Sequence, residues 1–121
     1  MIYVFLAQGF EEVEALATVD VLRRAGLETK TVGVTGKTVS GSHSIPVVCD
    51  CEIGEISPDE SLEAVVLPGG MPGTLNLEKS AEVNKFIDYA AANDKYVCAI
   101  CAAPSILGKK GLLKGKEAIC F

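Results

Sequence analysis

The sequence predicts a doubly wound α/β fold, with a mostly parallel sheet and helices on both faces. Short, continuously apolar segments such as residues 2–7 alternate along the chain with segments of helical periodicity. The composition is 49% hydrophobic and 22% charged, which is typical of a compact globular protein. Ligands of such folds bind at the carboxyl ends of the strands, so we expect the functional residues there.

The first strand and the first helix are predicted within residues 2–26. Residues 2–7 are apolar throughout, as in a central parallel strand that is covered on both faces. A helix follows, and its first turn carries three acidic residues near the positive end of the helix dipole: Glu11, Glu12 and Glu14. Its end is marked by Arg23, Arg24 and Gly26. Its apolar side is predicted to consist of Val13, Leu16, Ala17 and Val21.

The middle of the chain is predicted to contain two further strands, a hairpin and a loop. Residues 28–34 form the second strand, residues 35–37 a turn, and residues 38–51 a polar hairpin. Residues 64–67 form another strand, which leads into residues 68–73. The sequence Pro-Gly-Gly-Met-Pro-Gly of this last segment excludes regular structure. We therefore expect a shaped loop at the carboxyl end of a strand.

The last third of the chain is predicted to alternate helix, strand and helix. Ser80 caps a helix that runs to about Asn93. The apolar side of this helix consists of Val83, Phe86, Ile87 and Ala90. Residues 96–100 form a buried strand, and a helix begins at Ala102, directly after Cys101.

The chain ends within a predicted strand. Gly111 and Gly115 interrupt the preceding helix, and residues 117–121 then form the last strand. We expect a single domain at residues 1–121 that lacks the C-terminal strands and helix of its fold, with a separate C-terminal segment as one source of the remainder.

Charge and composition exclude several classes of partner. The net charge of −5 and the pI near 4.8 leave no basic surplus for nucleic acid or an anionic membrane. No apolar run reaches the roughly 18 to 20 residues that cross a bilayer, and no basic segment precedes the first strand. We therefore expect a cytoplasmic protein. The five cysteines are an odd number, which favours free thiols over a disulfide framework.

Cys101 is the first candidate for a functional residue. A nucleophile directly between a strand and a helix is lifted above the sheet edge, and the amides of a helix N-terminus stabilise a thiolate. We therefore expect a lowered pKa for Cys101. The backbone amides of Gly69, Gly70 and Ala102 are candidates to hold an oxyanion. The alternative is structural, with a small buried thiol and glycines that serve only the turn.

The acidic residues and the histidine carry weaker patterns. Glu11, Glu12 and Glu14 are expected to be solvated helix acids, unless one is turned inward. A carboxyl that is enclosed beside a thiolate stays protonated and donates a hydrogen bond to the sulfur. The only histidine, His43, lies in the predicted hairpin and is expected to be a free surface residue.

The other cysteines predict neither a redox couple nor a metal site. Cys98 and Cys101 have CxxC spacing, but Cys98 lies within a strand, which argues against a thioredoxin-type couple. Cys49 and Cys51 are too few for a metal site, since strand alternation sends their thiols to opposite faces.

Four segments of the chain together resemble the ThiJ/PfpI superfamily, and within it the DJ-one-like branch of Parkinson disease protein seven. They are residues 7–14, 19–26, 65–70 and 99–104. The resemblance implies a flavodoxin-like sandwich and a homodimer.

The same resemblance implies roles for individual residues. Cys101 matches the family's oxidation-prone nucleophilic cysteine, and Glu14 matches the protonated glutamate that hydrogen-bonds to it. Gly70 and Ala102 match backbone donors around the cysteine. Phe121 stands where related proteins carry a histidine, so hydrolysis or proteolysis through a Cys-His pair is not favoured.

The resemblance leaves two functions open. One is a glyoxalase or deglycase without cofactor or metal, in which Cys101 attacks the aldehyde carbon of a small carbonyl substrate to form a hemithioacetal. The other is a redox-responsive chaperone, in which an oxidant converts Cys101 to sulfenic or sulfinic acid. A nucleotide-binding function ranks last, because the sequence contains neither GxGxxG nor a P-loop.

Overall fold

The computed structural model describes residues 1–121 and contains seven strands and four α-helices. The strands are β1 (Ile2–Leu6), β2 (Thr29–Gly33), β3 (Thr38–Ser40), β4 (Pro46–Val48), β5 (Cys51–Glu52), β6 (Ala64–Leu67) and β7 (Tyr96–Ala99). The α-helices are α1 (Glu12–Arg24), α2 (Gly73–Glu78), α3 (Ala81–Ala92) and α4 (Pro104–Lys109). Most of these elements lie where the sequence predicts them.

Five of the strands form one parallel sheet in the order β5-β2-β1-β6-β7. The chain first adds strands on one side of β1 and then returns to add β6 and β7 on the other side. Strands β3 and β4 form a separate antiparallel hairpin. The predicted doubly wound fold is therefore confirmed, and β1 and β6 lie at the point where the direction of strand addition reverses.

The sheet separates two apolar cores, because alternate residues of a strand point to opposite faces. One core includes Phe5, Leu67, Phe86 and Ile106, and it packs against α3 and α4. The other includes Val4, Leu6, Ala15 and Val19, and it packs against α1. Cys49 lies in the second core and Cys51 in the first, which confirms that their thiols lie on opposite faces.

The predicted apolar side of α1 is wrong. The helix buries Glu12, Ala15 and Val19, which follow one another at helical spacing. Val13 is 71% exposed, and Val21 is also exposed, because both lie on the opposite side of the helix from the sheet. The buried position of the Glu12 carboxylate is not predicted by the sequence. Glu12 can do so because the hairpin supplies donors for its oxygens.

Two predictions near the end of the chain are also wrong. Strand β7 is not buried, because it lies at the edge of the sheet and pairs only with β6; Tyr96 is 76% exposed. Residues 117–121 do not form a strand. They are exposed and irregular, and they are tied to the sheet where the amide of Phe121 donates to the carbonyl of Cys101 at 2.7 Å.

Three short elements differ from the sequence prediction or were absent from it. Helix α2 begins at Gly73, directly after the glycine-rich loop, and a 3₁₀ turn spans Ile53–Glu55. Cys51 opens β5 of the main sheet instead of ending the hairpin. None of the helices combines the length and the apolar character that crossing a membrane requires.

Candidate active site

Cys101 occupies the sharp turn between β7 and α4. Its φ angle is +61°, a left-handed conformation that residues other than glycine adopt rarely. Ala102 and Ala103 follow it and are buried, so only small side chains crowd the turn. The thiol of Cys101 is partly exposed beside the carboxyl end of β6. The structure therefore places Cys101 on the predicted elbow.

Glu14 lies directly beside this cysteine. The carboxyl group comes from the first turn of α1, and both this group and the Cys101 side chain lie against Gly69. Its Oε1 accepts a hydrogen bond of 2.9 Å from the amide of Gly69. Residues 87 positions apart in the sequence thus meet at one point, so Glu14 is not a solvated helix acid.

Gly69 makes this meeting possible because it has no side chain. A Cβ at this position would lie 2.6 Å from Glu14 Oε1 and 2.8 Å from Cys101 Cβ. The Gly69 amide was expected to face an oxyanion, but it donates to Glu14 instead. Its observed role is to hold the carboxyl beside the thiol.

Two of the three expected amides have no backbone acceptor. Neither the amide of Gly70 nor the amide of Ala102 donates a hydrogen bond to a backbone carbonyl. Gly70 has a φ angle of +97°, and a Cβ there would lie 2.5 Å from the nitrogen of Glu11. A glycine is therefore required for the chain to turn tightly at this edge of the sheet.

The sequence predicts a lowered pKa for Cys101, and this prediction is wrong when Glu14 is ionised. Burial raises the pKa of the Cys101 thiol, and the Glu14 carboxylate raises it further through its charge and its hydrogen bond. The amide of Ala102 lowers this pKa, but not enough to compensate. The dipole of α4 adds little, because this helix has six residues and starts only at Pro104. A proton on Glu14 would remove the repulsive charge and provide a donor to the sulfur.

A depression of about 340 Å³ opens over the thiol of Cys101. It is lined by Cys101, Ile119, Cys120 and Phe121. Phe121 occupies the rim with its side chain exposed, and no histidine lines the depression. The sequence does not predict a role for Cys120, because this residue lies in a predicted strand and no local motif surrounds it.

A second polar cluster joins α1 to the β3–β4 hairpin. Glu12 Oε2 accepts hydrogen bonds from the amides of His43 at 2.9 Å and Ile45 at 3.3 Å, and Glu12 Oε1 lies 3.1 Å from His43 Nδ1. Burial alone would raise the pKa of Glu12, but these hydrogen bonds hold it below the ordinary value. His43 is exposed but not free, which corrects the expectation for this residue.

The cluster has the residue types of a metal site. Glu11, Glu12 and His43 each place one ligand atom within 4.8 Å of the others. However, both oxygens of Glu12 already accept hydrogen bonds from the hairpin. The arrangement is that of a clamp that fixes the hairpin against α1.

Comparisons with known proteins cover the whole chain. The profile of the DJ-1/PfpI family matches residues 1–121. The chain is 35% identical to Protein dj-1beta of Drosophila melanogaster, over 98% of this chain and 63% of the fly protein. It is 37% identical to the Parkinson disease protein 7 homolog of Danio rerio, over 93% of this chain and 60% of the fish protein. The chain therefore spans less than two thirds of the length of these curated relatives.

Solved structures show the same likeness. A structure described as Toxoplasma gondii DJ-1, oxidized, superposes with a TM-score of 0.94 at 34% identity, over 99% of this chain and 66% of the other. The crystal structure of Drosophila melanogaster DJ-1beta gives a TM-score of 0.86 at 34% identity, over 92% of this chain and 60% of the other. The flavodoxin-like arrangement of the sheet is thus shared with these proteins.

Proposed function

Because the chain belongs to the DJ-1/PfpI family, we propose that it acts on small 2-oxoaldehydes, or on the early adducts that they form with proteins, through the thiol of Cys101. The chemistry is that of a cofactor-independent glyoxalase or deglycase. The observation that carries the proposal is that Glu14 and Cys101 both lie against Gly69, and that the following residues, Gly70 and Ala102, have amides without backbone acceptors.

The first step forms a bond between sulfur and carbon. The Cys101 thiolate attacks the aldehyde carbon, and the carbonyl electron pair moves to the oxygen. The amides of Gly70 and Ala102 stabilise the developing oxyanion. A proton from Glu14 then reaches this oxygen, and the product is a hemithioacetal. This proton is the one that Glu14 takes from the Cys101 thiol when the thiolate forms, so Glu14 acts first as a base and then as an acid.

The second step moves a proton between adjacent carbons. Glu14, now a carboxylate, removes the hydrogen from the carbon that is bonded to sulfur, and the neighbouring carbonyl oxygen takes up a proton, which gives an enediol. The hydroxyl on the sulfur-bearing carbon then loses its proton as its oxygen forms a double bond to carbon, and the neighbouring carbon takes up a proton. This converts the hemithioacetal into a thioester. Water then cleaves the thioester, which releases a 2-hydroxy acid and regenerates the thiol. The net reaction adds one water to the 2-oxoaldehyde, so no cofactor is consumed.

Loss of methylglyoxal tests the proposal. The unmodified chain should consume methylglyoxal, and Cys101→Ser should lose this activity. Cys98→Ser serves as the matched control, since Cys98 is exposed on β7 but does not line the depression. Equal rates for the unmodified chain and for Cys101→Ser would remove the proposal.

A second candidate function is that of a redox-responsive protective chaperone. An oxidant can reach the partly exposed Cys101 more easily than the buried Cys49 and Cys51, but Cys98 and Cys120 are exposed as well. What distinguishes Cys101 from these two is its place on the turn beside Glu14 and Gly69. The similar Toxoplasma gondii structure is described as oxidized. Titration with peroxide, read by peptide mass spectrometry, should modify Cys101 before the other cysteines. An equal rate at all five thiols would contradict this function.

We propose that the protein is a cytoplasmic homodimer that pairs through the outer side of α1. Val13, Ala17 and Val21 form an exposed apolar stripe along this side of the helix. A stripe of this kind is typical of a protein interface. The family resemblance implies a homodimer but not which surface forms it.

We also propose that a C-terminal segment, equivalent to the part of the relatives beyond this chain, covers one face of the sheet. A groove of about 530 Å³ runs between α1 and the edge strand β7. Its apolar lining includes Ile2, Leu22, Leu27, Val66, Cys98 and Ile100. The length of the relatives supports this occupant, since they exceed this chain by more than a third of their own length.

A further inference from the structure

Two of the four residues that line the depression over the candidate nucleophile are cysteines. Cys120 lies on the exposed segment 117–121, and its thiol donates to the carbonyl of Ala102 at 3.4 Å. The next residue, Phe121, donates its amide to the carbonyl of Cys101 at 2.7 Å. A backbone hydrogen bond therefore joins the residue after Cys120 to Cys101, and both cysteines line the same depression.

The electrostatics of the site agree with this proximity. The charge of Cys120 is one of the causes that raise the pKa of the Cys101 thiol, after burial and Glu14. The effect agrees with the depression that the two residues line together.

The other three cysteines lie elsewhere. Cys49 and Cys51 are buried in separate cores. Cys98 has CxxC spacing with Cys101, but it lines the groove beside α1 and not the depression. Cys120 is therefore a better placed partner for Cys101 than Cys98, although Cys98 is closer in the sequence.

We propose that Cys120 is the resolving thiol of Cys101, so that a peroxide converts the pair into an intramolecular disulfide. The proposal rests on the reactivity that the proposed function assigns to Cys101. It adds a modification site at Cys120 and a reversible way to switch the nucleophile off.

The reaction balances in two steps. The Cys101 thiolate attacks one oxygen of the peroxide, the O–O bond breaks, and the products are a sulfenic acid and, once protonated, water or an alcohol. The thiol of Cys120 then loses its proton and attacks the sulfenic sulfur. The S–O bond breaks, hydroxide leaves as water with that proton, and the disulfide forms. Two thiols are oxidised and one peroxide is reduced.

The position of Cys120 favours this second step. Segment 117–121 is exposed and irregular, so it can adjust its backbone to the geometry that a disulfide requires without disturbing the sheet. The disulfide would close the depression and remove the nucleophile. It would also protect the sulfenic acid from further oxidation to sulfinic acid, which thiol reductants do not reverse.

The test is a titration of the unmodified chain, Cys120→Ser and Cys98→Ser with hydrogen peroxide, followed by peptide mapping without reduction. The unmodified chain and Cys98→Ser should each lose two hydrogens and yield a peptide that joins Cys101 to Cys120. Dithiothreitol should reverse this change. Cys120→Ser should yield no such peptide and should accumulate sulfinic acid at Cys101 instead. Cys120 is exposed, so its substitution by serine is compatible with folding.

Two results would overturn the inference, and only the second would also contradict the proposed function. If Cys101 reaches sulfinic acid at the same rate in the unmodified chain and in Cys120→Ser, without a linked peptide, the resolving role fails while the reactivity of Cys101 stands. If Cys101 reacts with neither peroxide nor iodoacetamide, the proposed function fails together with this inference.

Discussion

Gly69 lies between the carboxyl of Glu14 and the side chain of Cys101, and it fits there because it has no side chain. A methyl group at this position would lie 2.6 Å from Glu14 Oε1, which is closer than real contacts allow. Gly69→Ala should therefore push the two groups apart and lower the free energy of unfolding by about 1–3 kcal/mol. Denaturant unfolding measures this loss. Gly54→Ala is the matched control, since a Cβ there meets open space; equal stability of the two variants would contradict the prediction.

Replacing Glu14 by glutamine should have opposite effects on the reactivity of the Cys101 thiol and on turnover. The ionised carboxylate raises the pKa of Cys101, so less thiolate is present at neutral pH. Glu14→Gln removes this charge, and the midpoint of Cys101 alkylation by iodoacetamide should move to lower pH. Methylglyoxal turnover should nevertheless fall about a hundredfold or more, because glutamine cannot transfer the proton.

The control for this prediction is Glu11→Gln, which removes a carboxylate from the same end of α1. Glu11 caps the helix by accepting from the amide of Val13 and is not among the groups that shift the pKa of Cys101. An alkylation midpoint that rises in Glu14→Gln would show that the carboxyl acts mainly as a donor to the sulfur. The proposed charge effect would then be wrong.

The residues of the site differ in how far the sequence predicts them. Cys101 is found from local pattern alone, because a small-residue turn between an apolar strand and a helix has a clear signature. No such signature connects Glu14 to it; only the family resemblance implied the contact, since nothing local shows which acid of α1 turns inward. Cys120 was missed because its position depends on the path of an irregular segment, which periodicity does not describe.

At the level of the elements, the sequence predicts position better than orientation. The bounds of β6 match residues 64–67, because an unbroken apolar run ends at a proline. The existence of α1 is also correct, but its buried face is not. Apolar residues such as Val13 lie outside and Glu12 lies inside, because the hairpin supplies hydrogen bonds that the sequence of the helix does not contain. Tertiary partners thus decide which face is buried.

The outward face of α1 gives a test of the proposed homodimer. Val13→Glu places a charge in the exposed apolar stripe and should shift the protein from dimer to monomer in sedimentation velocity experiments. Val48→Glu is the matched control, because Val48 on β4 is also 71% exposed but lies away from α1. If both variants sediment like the unmodified chain, the stripe is not the interface.

At the scale of the whole molecule, the two faces of the sheet are covered to different extents. Helices α3 and α4 pack against one face over a core of 16 buried residues, whereas α1 alone packs against the other over a core of 10. The groove between α1 and β7 is the part of this second face that no helix covers. Sequence periodicity does not reveal such a gap, because the edge strand β7 has the apolar pattern of a strand that is covered on both sides.

The groove should therefore bind an apolar probe, and a polar substitution in its lining should weaken that binding. Anilinonaphthalene sulfonate should fluoresce with the unmodified chain, since the lining is mostly apolar. Leu27→Gln should reduce the signal. Leu27 is 42% exposed, so this change is compatible with folding. Leu75→Gln on α2 is the control, because Leu75 is 52% exposed and lies outside the groove. An equal loss in both variants would place the probe elsewhere and contradict the proposal that a further segment covers this groove.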